Sequence, residues 1–396
     1  MRAIVIGAGI AGTATAIALA KAGIEACVHE AYEHDSDGVG AWLTLASNGI
    51  DAVATLGLGD AVRAGGFATR RMRLANHTGR TLAEFPFGSA RADGLQVCSV
   101  RRADLYRALR DAASARGIPV AYGKRLVDAR RTGDGVRAEF ADGSTAEGDL
   151  LIGADGLRSR VRTIIDPAAP AARYVPFQNT GGYARGLRPG GRIHPEPGVM
   201  NFCFGRRCFL GYAIAPDGVI WWFANPPAPN ETDPAAIPAD RWRRHLLDLF
   251  AGDDLPATEL IEASEHVFAG WNTYDFPTVP TWHRDRMVII GDAAHATAPS
   301  AGQGASMALE DAVVLAMALR DEPSPDAAFA AYERLRRQRV ERVVEYGRRN
   351  GEGKSLGPVM RLVRDRVIMP RVRARAARVG ANPDRWLFDH HISWAA

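Results

Sequence analysis

The chain has 396 residues, 47% of them hydrophobic and 24% charged, which excludes a disordered or fibrous class and leaves room for two domains sharing an interface. Its formal charge of +4 rests almost wholly on arginine, because Lys21, Lys124 and Lys354 are the only lysines; the basic residues spread widely except for a cluster after Glu333, and no nucleic-acid partner is expected. Cys27, Cys98, Cys203 and Cys208 make neither a C-x-x-C pair nor a metal-ligand spacing, so a reduced, cytoplasmic protein without a bound metal is expected.

Arg2 followed by the apolar run Ile4 to Ala20 resembles a signal peptide at first sight, but its glycine spacing argues otherwise. No other stretch approaches the roughly 20 apolar residues that span a bilayer, so no membrane insertion is expected. Ala3 to Ile6 reads as a buried strand, Gly7-x-Gly9-x-x-Gly12 follows at once, and Thr13 to Ala22 is predicted to be helical. Ile24 to His29 forms a second strand with Glu30 at its carboxyl end, 18 residues after Gly12. This is a dinucleotide fingerprint in its required context: glycines for a tight turn and close phosphate approach, a helix N-terminus for the pyrophosphate, an acid for a ribose hydroxyl.

Ala41 to Asn48 leads into a helical stretch ending near Leu58, and Met72–Asn76 with Thr81–Phe85 reads as a hairpin. Gln96 to Val100 is a strand, and Arg102 stands where the next helix opens, with Leu105 and Leu109 on one face. Val120–Ala121, Leu126–Arg130 and Val136–Phe140 suggest a small antiparallel sheet. Asp149 to Gly156 then delivers Asp155 at the end of another buried strand, where it could equally serve as a helix N-cap.

From Asp166 to Pro280 proline becomes frequent and aromatic strands appear around Phe204, Tyr212, Trp221 and Phe223, the candidate substrate residues. The Pro216-Asp217-Gly218 turn predicts a bulged hairpin in which Tyr212 faces Trp222 while Gly211 and Ala213 face Phe223 and Trp221, leaving room for a flat ligand. A helix near Arg241 to Phe250 is expected to cover this sheet. Met287 to Ile290 is a further buried strand ended by Gly291-Asp292; the loop through Pro299, Gly302 and Gly304 lacks bulk and opens an alanine-rich helix from Ala305. Beyond Asp326 a long helix carries Arg334, Arg336, Arg337, Arg339 and Arg342 with interspersed glutamates, which reads as a solvated face. A second basic helical segment follows Gly357 and ends in a Trp386, Phe388 and Trp394 tail.

Three motifs in order, Gly7-x-Gly9-x-x-Gly12 with Glu30, Gly153-Ala-Asp155-Gly156 through Arg162, and Gly291-Asp292 through Gly304, resemble the class A FAD-dependent aromatic hydroxylases over most of the chain to about residue 345. The resemblance implies an α/β fold: a Rossmann-like FAD-binding domain (1–70, 96–165, 281–350) interleaved with a β-sheet substrate domain (71–95, 166–280), then a C-terminal helical segment (351–396). It also implies that Gly7, Gly9, Ala11, Gly12 and Glu30 hold the adenosine half of FAD and that Arg102 reaches the flavin cofactor. Asp155 would serve both FAD and the pyridine nucleotide, and Gly291, Asp292, Pro299, Gly302, Gly304 and Ala305 would hold the ribityl and isoalloxazine end. The residues after Glu30, Ala31-Tyr-Glu-His-Asp35, lack the arginine that family members often carry there.

The implied activity is hydroxylation of an aromatic or polyketide-like molecule by O2 through a flavin C4a-hydroperoxide, with NADH or NADPH docking transiently because only one full fingerprint is present. Such chemistry belongs to secondary metabolism; a monomer or homodimer is expected. A flavin-dependent halogenase would need a W-x-W-x-I-P element, which Trp221-Trp-Phe-Ala-Asn-Pro226 does not match. An epoxidase or a prenyl-chain reductase reuses the same FAD domain and stays open, as does a carrier that kept the fold without redox activity.

Overall fold

The structure, a computed structural model, describes residues 1–34, 41–88, 94–354, 356–379 and 384–394, so Asp35 lies outside it. One sheet has six strands in the order His283–Arg284, Met287–Ile289, Leu150–Gly153, Arg2–Ile6, Glu25–His29, Val120–Ala121. All neighbours are parallel except the first pair. Arg2–Ile6 beyond its first residue, Leu150–Gly153 and Met287–Ile289 are apolar and buried, as strands covered on both faces must be, whereas Glu25–His29 is buried only at its carboxyl end. Register sets Ile6 beside Gly153 and His29, and Gly153 beside Ile289, so these strands end at one level. The glycine motif, Glu30, Asp155 and Asp292 thereby come to a single edge.

Two expectations about this part are corrected. The first helix spans Ile10–Lys21 and starts inside the glycine motif instead of at Thr13, because Gly9 already has the extended backbone of an N-cap. Val120–Ala121 joins the parallel sheet, while the small antiparallel sheet consists of Leu126–Thr132, Gly135–Phe140 and Thr145–Gly148.

The second sheet runs Ser264–Val267, Arg173–Ala184, Ile220–Asn225, Phe209–Ile214, Val199–Phe204, Arg71–Asn76, Thr81–Pro86, with Trp271–Asp275 also paired to Arg173–Ala184. The hairpin has the expected register: Gly211 opposes Phe223, Tyr212 opposes Trp222, and Ala213 opposes Trp221. Gly218 has a φ of +79°; its N–H donates to the Ala215 carbonyl, and the Ala215 N–H donates to the Val219 carbonyl, closing the turn (2.9 Å each). Period-two alternation splits the sheet into two faces. Tyr212 and Trp222 pack under Trp242, Leu246 and Phe250 of helix Ala239–Phe250, the predicted cover. Trp221 and Phe223 point the other way, toward Trp42, whose indole N–H donates to the Trp222 carbonyl (3.3 Å).

Helix Gly304–Asp321 packs against Ile10–Lys21 and against the long helix Pro325–Glu352. That long helix does not present a merely solvated arginine face. Arg336 is only 1% exposed and pairs with Glu310 and with Asp311 (2.8 Å), while Arg339 pairs with Glu310 (2.8 Å). The chain ends in helices Pro358–Val363, Met369–Val379 and Arg385–Phe388, with a π-helical link at Arg364–Ile368. No helix among the described residues is long and apolar enough to cross a membrane.

Candidate FAD and substrate site

Gly7 has a φ of +101°, and a Cβ there would lie 2.5 Å from the Ala154 carbonyl oxygen. At Gly12 a Cβ would lie 1.9 Å from the Gly7 carbonyl oxygen. Both glycines are therefore required by the protein's own packing. Gly9 differs, because no protein atom lies within 4 Å of a Cβ built on it. It caps the Ile10–Lys21 helix without a side-chain partner, so the first N–H groups of that helix open onto space that only glycine leaves clear. The Glu30 carboxylate accepts the Ala8 N–H (2.7 Å) and the Tyr32 N–H (3.1 Å), which fixes it against the glycine loop.

Asp155 uses both oxygens within its own loop. One accepts the Ser159 hydroxyl (2.5 Å), the other the Arg160 and Val161 N–H groups (2.7 and 3.1 Å), while Ser159 caps the helix at Arg162 N–H (2.9 Å). The Arg162 guanidinium then donates to the carbonyls of Ala293 and Leu157 (2.9 and 2.8 Å), tying this turn to the one that carries Asp292.

Asp292 begins the short helix Asp292–His295 after Gly291, whose φ is +58°. Its surface is exposed, yet protein surrounds it densely enough for burial to push its carboxyl pKa up, against the fields of His295 and Arg102. An acid that is both deep and accessible lines a cleft. Arg102 opens helix Arg102–Ala115; burial opposes its charge, while Tyr106 and Asp292 hold its pKa above the ordinary value. Its guanidinium donates to the Tyr106 hydroxyl (3.0 Å), and its Nε has no partner.

The loop from Pro299 to Gly304 turns at Gly302, with a φ of +61° and open space beside it. Gln303 joins it to helix Gly304–Asp321; its Oε1 accepts from Asn48 Nδ2 (3.0 Å), and its Nε2 is buried without a partner. Thr297 Oγ1 and Ser300 Oγ are likewise unpartnered, facing Gly347 and Gly351 of helix Pro325–Glu352. Ala305 is half-buried at the start of that helix, and Ala11 sits 3.0 Å from where a Cβ on Gly291 would be.

Behind the loop lies a polar network that sequence reading missed. Asp311 accepts the Gly291 N–H (2.9 Å) and pairs with His295 (2.5 Å) and Arg336, and Glu310 accepts from Asn48 (2.7 Å) and Arg339. Burial alone would raise both carboxyls; His295 and Arg336 hold Asp311 well below the usual range, and Arg336 with Arg339 lowers Glu310 to about 2. The adjacency of Glu310 and Asp311 soon after Gly304, with arginines one helix later, was the available signal.

Of the four aromatic candidates, strand alternation separates one. Tyr212 is 0% exposed on the face away from the cleft, and its hydroxyl accepts the His194 N–H (2.8 Å). Trp221 and Phe223 stand on the cleft face with Phe202 and Phe209, and Phe223 fills the space above Gly211. Phe204 shares this face but is overlaid by the Arg364 guanidinium, 4.3 Å from its ring centre. Phe202, Phe204 and Phe223 are only half-buried, so packing does not close this side. Among the described residues no group of three or more His, Cys, Asp or Glu side chains could hold a metal ion.

A parallel sheet whose carboxyl edge gathers a glycine fingerprint and its acids, facing an aromatic antiparallel sheet, defines a two-domain flavoprotein architecture. Residues 1–346 match the FAD binding domain family. The chain is 34% identical to the FAD-dependent urate hydroxylase of Klebsiella pneumoniae across 87% of this chain and 88% of that protein. It is also 34% identical to a 3-amino-4-hydroxybenzoate 2-monooxygenase of Streptomyces platensis across 92% and 91%. The solved structure of Klebsiella pneumoniae HpxO with FAD and uric acid superposes with a TM-score of 0.81 at 30% identity, covering 96% of this chain and 94% of that one. The chain belongs to the FAD-dependent aromatic hydroxylase and monooxygenase family, and it is an FAD-dependent oxidoreductase.

Proposed function

We propose that this enzyme uses NADH or NADPH and O2 to hydroxylate a planar aromatic small molecule held between the 292–304 loop and the Trp221 and Phe223 face of the second sheet. The observation that carries this reading is the convergence of Gly9, Glu30 and Asp292 on one sheet edge, with Arg102 close enough to feel the Asp292 charge, opposite an aromatic face that packing leaves partly open. The residues fit FAD: Gly9 leaves a cradle that a side chain would fill, and Arg102 Nε and Gln303 Nε2 are buried without partners. FAD, when bound, would supply the redox and oxygen-transfer chemistry.

In this reading Glu30 exchanges its Ala8 contact for a ribose hydroxyl, and the Ile10–Lys21 helix directs its N–H groups at the pyrophosphate. Arg102 and Asp292 would hold the chain that joins nucleotide to flavin. The N-terminus of helix Gly304–Asp321 would offer positive potential to a flavin bound beside it. Asp155 keeps its oxygens on its own loop and shapes the edge beside Gly7. The aromatic face excludes water from the reacting centre. The relatives that act on urate and on an aminohydroxybenzoate support a planar, electron-rich ring as substrate.

The deciding experiment follows NAD(P)H oxidation by FAD-loaded protein under 18O2, with urate and 3-amino-4-hydroxybenzoate as first trial substrates. Label in an organic product supports hydroxylation. Substrate-dependent flavin reduction with no label in product would move the assignment to a reductase.

A further inference from the structure

Lys354 is one of only three lysines in the chain, and it lies just past the end of helix Pro325–Glu352. That helix runs along the cofactor loop: a Cβ at Gly347 would lie 3.0 Å from Thr297 Oγ1, and one at Gly351 would lie 3.4 Å from both Ser300 Oγ and the Phe177 ring. One turn further on, the Lys354 ammonium sits over the rings of Phe209 (4.5 Å), Phe177 (5.5 Å) and Phe223 (6.0 Å). It donates to Asn225 Oδ1 (2.6 Å), whose Nδ2 donates to Asn179 Oδ1 (2.7 Å). Asn179, Phe209, Phe223 and Asn225 all lie on the cleft face by strand register. No carboxylate among the described residues pairs with Lys354.

A cation on an aromatic wall, with one neutral acceptor and no counter-ion, is costly as a purely structural element. Arg348 and Glu352 on the same helix pair with one another, so neither compensates it. The titratable group whose field reaches the ammonium is the Cys208 thiol, which burial keeps in its neutral form. The cost is offset if an anion arrives with the ligand.

Resting on the monooxygenase reading, we propose that Lys354 is a specificity-determining residue of the substrate cleft, and that the ring bound there carries an acidic group that pairs with its ammonium. Half-buried Phe223 offers the ring a face; Asn225, itself held by Asn179, positions the amine. Burial lowers the pKa of the amine in the empty site to about 7, so it is uncharged only above that pH. Anion binding restores the charge. Affinity for anionic rings is then strongest below that value and falls as pH rises through it.

The test measures dissociation constants of benzoate and benzamide, and of 3-amino-4-hydroxybenzoate and its amide, with the FAD-loaded protein, read from tryptophan fluorescence. Each carboxylate is expected to bind about tenfold or more tighter than its amide near pH 6, as a charge-assisted hydrogen bond requires. For benzoate, ionised throughout, the preference should shrink between about pH 6 and about pH 9. Lys354→Met should remove the preference, the carboxylate losing about tenfold more affinity than the amide. Equal affinity for acid and amide, a preference that ignores pH in the wild type, or no saturable binding of either pair overturns the proposal. The wild-type pH series stands even if the variant folds poorly. FAD content, read separately from the visible spectrum, reports on the underlying reading: protein that binds anions but no flavin fails that reading alone.

Discussion

Gly9 and Gly12 belong to one motif but have opposite reasons for being glycine. At Gly12 the Gly7 carbonyl leaves no room for a methyl group, whereas at Gly9 the protein leaves the space empty. Gly9→Ala should therefore change the stability of cofactor-free protein by less than about 0.5 kcal/mol. Its FAD affinity should fall roughly tenfold or more, about 1.4 kcal/mol. Calorimetry and flavin titration check this pair; equal losses in both would remove the distinction. Asp292→Ala should lower FAD affinity by about tenfold to a hundredfold, the worth of a hydrogen bond to a charged group, with far-UV circular dichroism unchanged. Tight, stoichiometric flavin in that variant would contradict the place given to Asp292. Asp155 shows where the sequence stops informing: strand, acid and glycine predicted both a ligand contact and a helix cap. Only the geometry shows its oxygens spent on Ser159, Arg160 and Val161.

At the scale of elements, helix Pro325–Glu352 carries more than its composition suggests. Glutamates spaced among arginines read as surface pairs, and Glu333 with Arg337 is one (2.7 Å). Arg336, the next residue toward the N-terminus from Arg337, turns inward, because its partners are Glu310 and Asp311 on another helix and no local spacing could announce them. Arg336→Ala should cost about 3–5 kcal/mol, since it leaves two buried carboxylates poorly compensated. Denaturant unfolding measures this, and a loss below about 1 kcal/mol would mark the network as structurally idle. The same network sets a pH dependence. Glu310 has a folded-state pKa near 2, below the ordinary carboxylate value, so its stabilising contribution is complete above about pH 4.5 and is lost as pH falls toward 2. Acid unfolding followed by fluorescence should show its stability fall across that window. In the aromatic hairpin, by contrast, the Pro216-Asp217-Gly218 turn set the register and alternation set the faces, so Trp221 opposite Ala213 was legible from sequence.

For the whole molecule, the order of the motifs was readable, but the way the tail closes the structure was not. Arg339 donates to the carbonyls of Trp386 and Leu387 (3.0 Å each), Ser47 to that of Phe388 (2.8 Å), and Tyr346 to Asp384 (2.7 Å). Leu387 and Phe388 join the first core. These partners are scattered aromatic and aliphatic residues after Asp384, a pattern that fits a loose tail equally well. Deleting residues from Asp384 onward should remove roughly 3–5 kcal/mol of stability, mainly the burial of Leu387, Phe388 and Ile392. An unchanged unfolding midpoint would show the tail to be dispensable. The strand order has a consequence in time as well as space. Arg2–Ile6 lies between Glu25–His29 and Leu150–Gly153, and Met287–Ile289 adds outside the latter, so the edge bearing Asp292 forms last during synthesis. A nascent chain released before that strand emerges lacks the edge that carries Asp292, and is expected to bind flavin poorly. Flavin loading is therefore expected to report completion of this sheet.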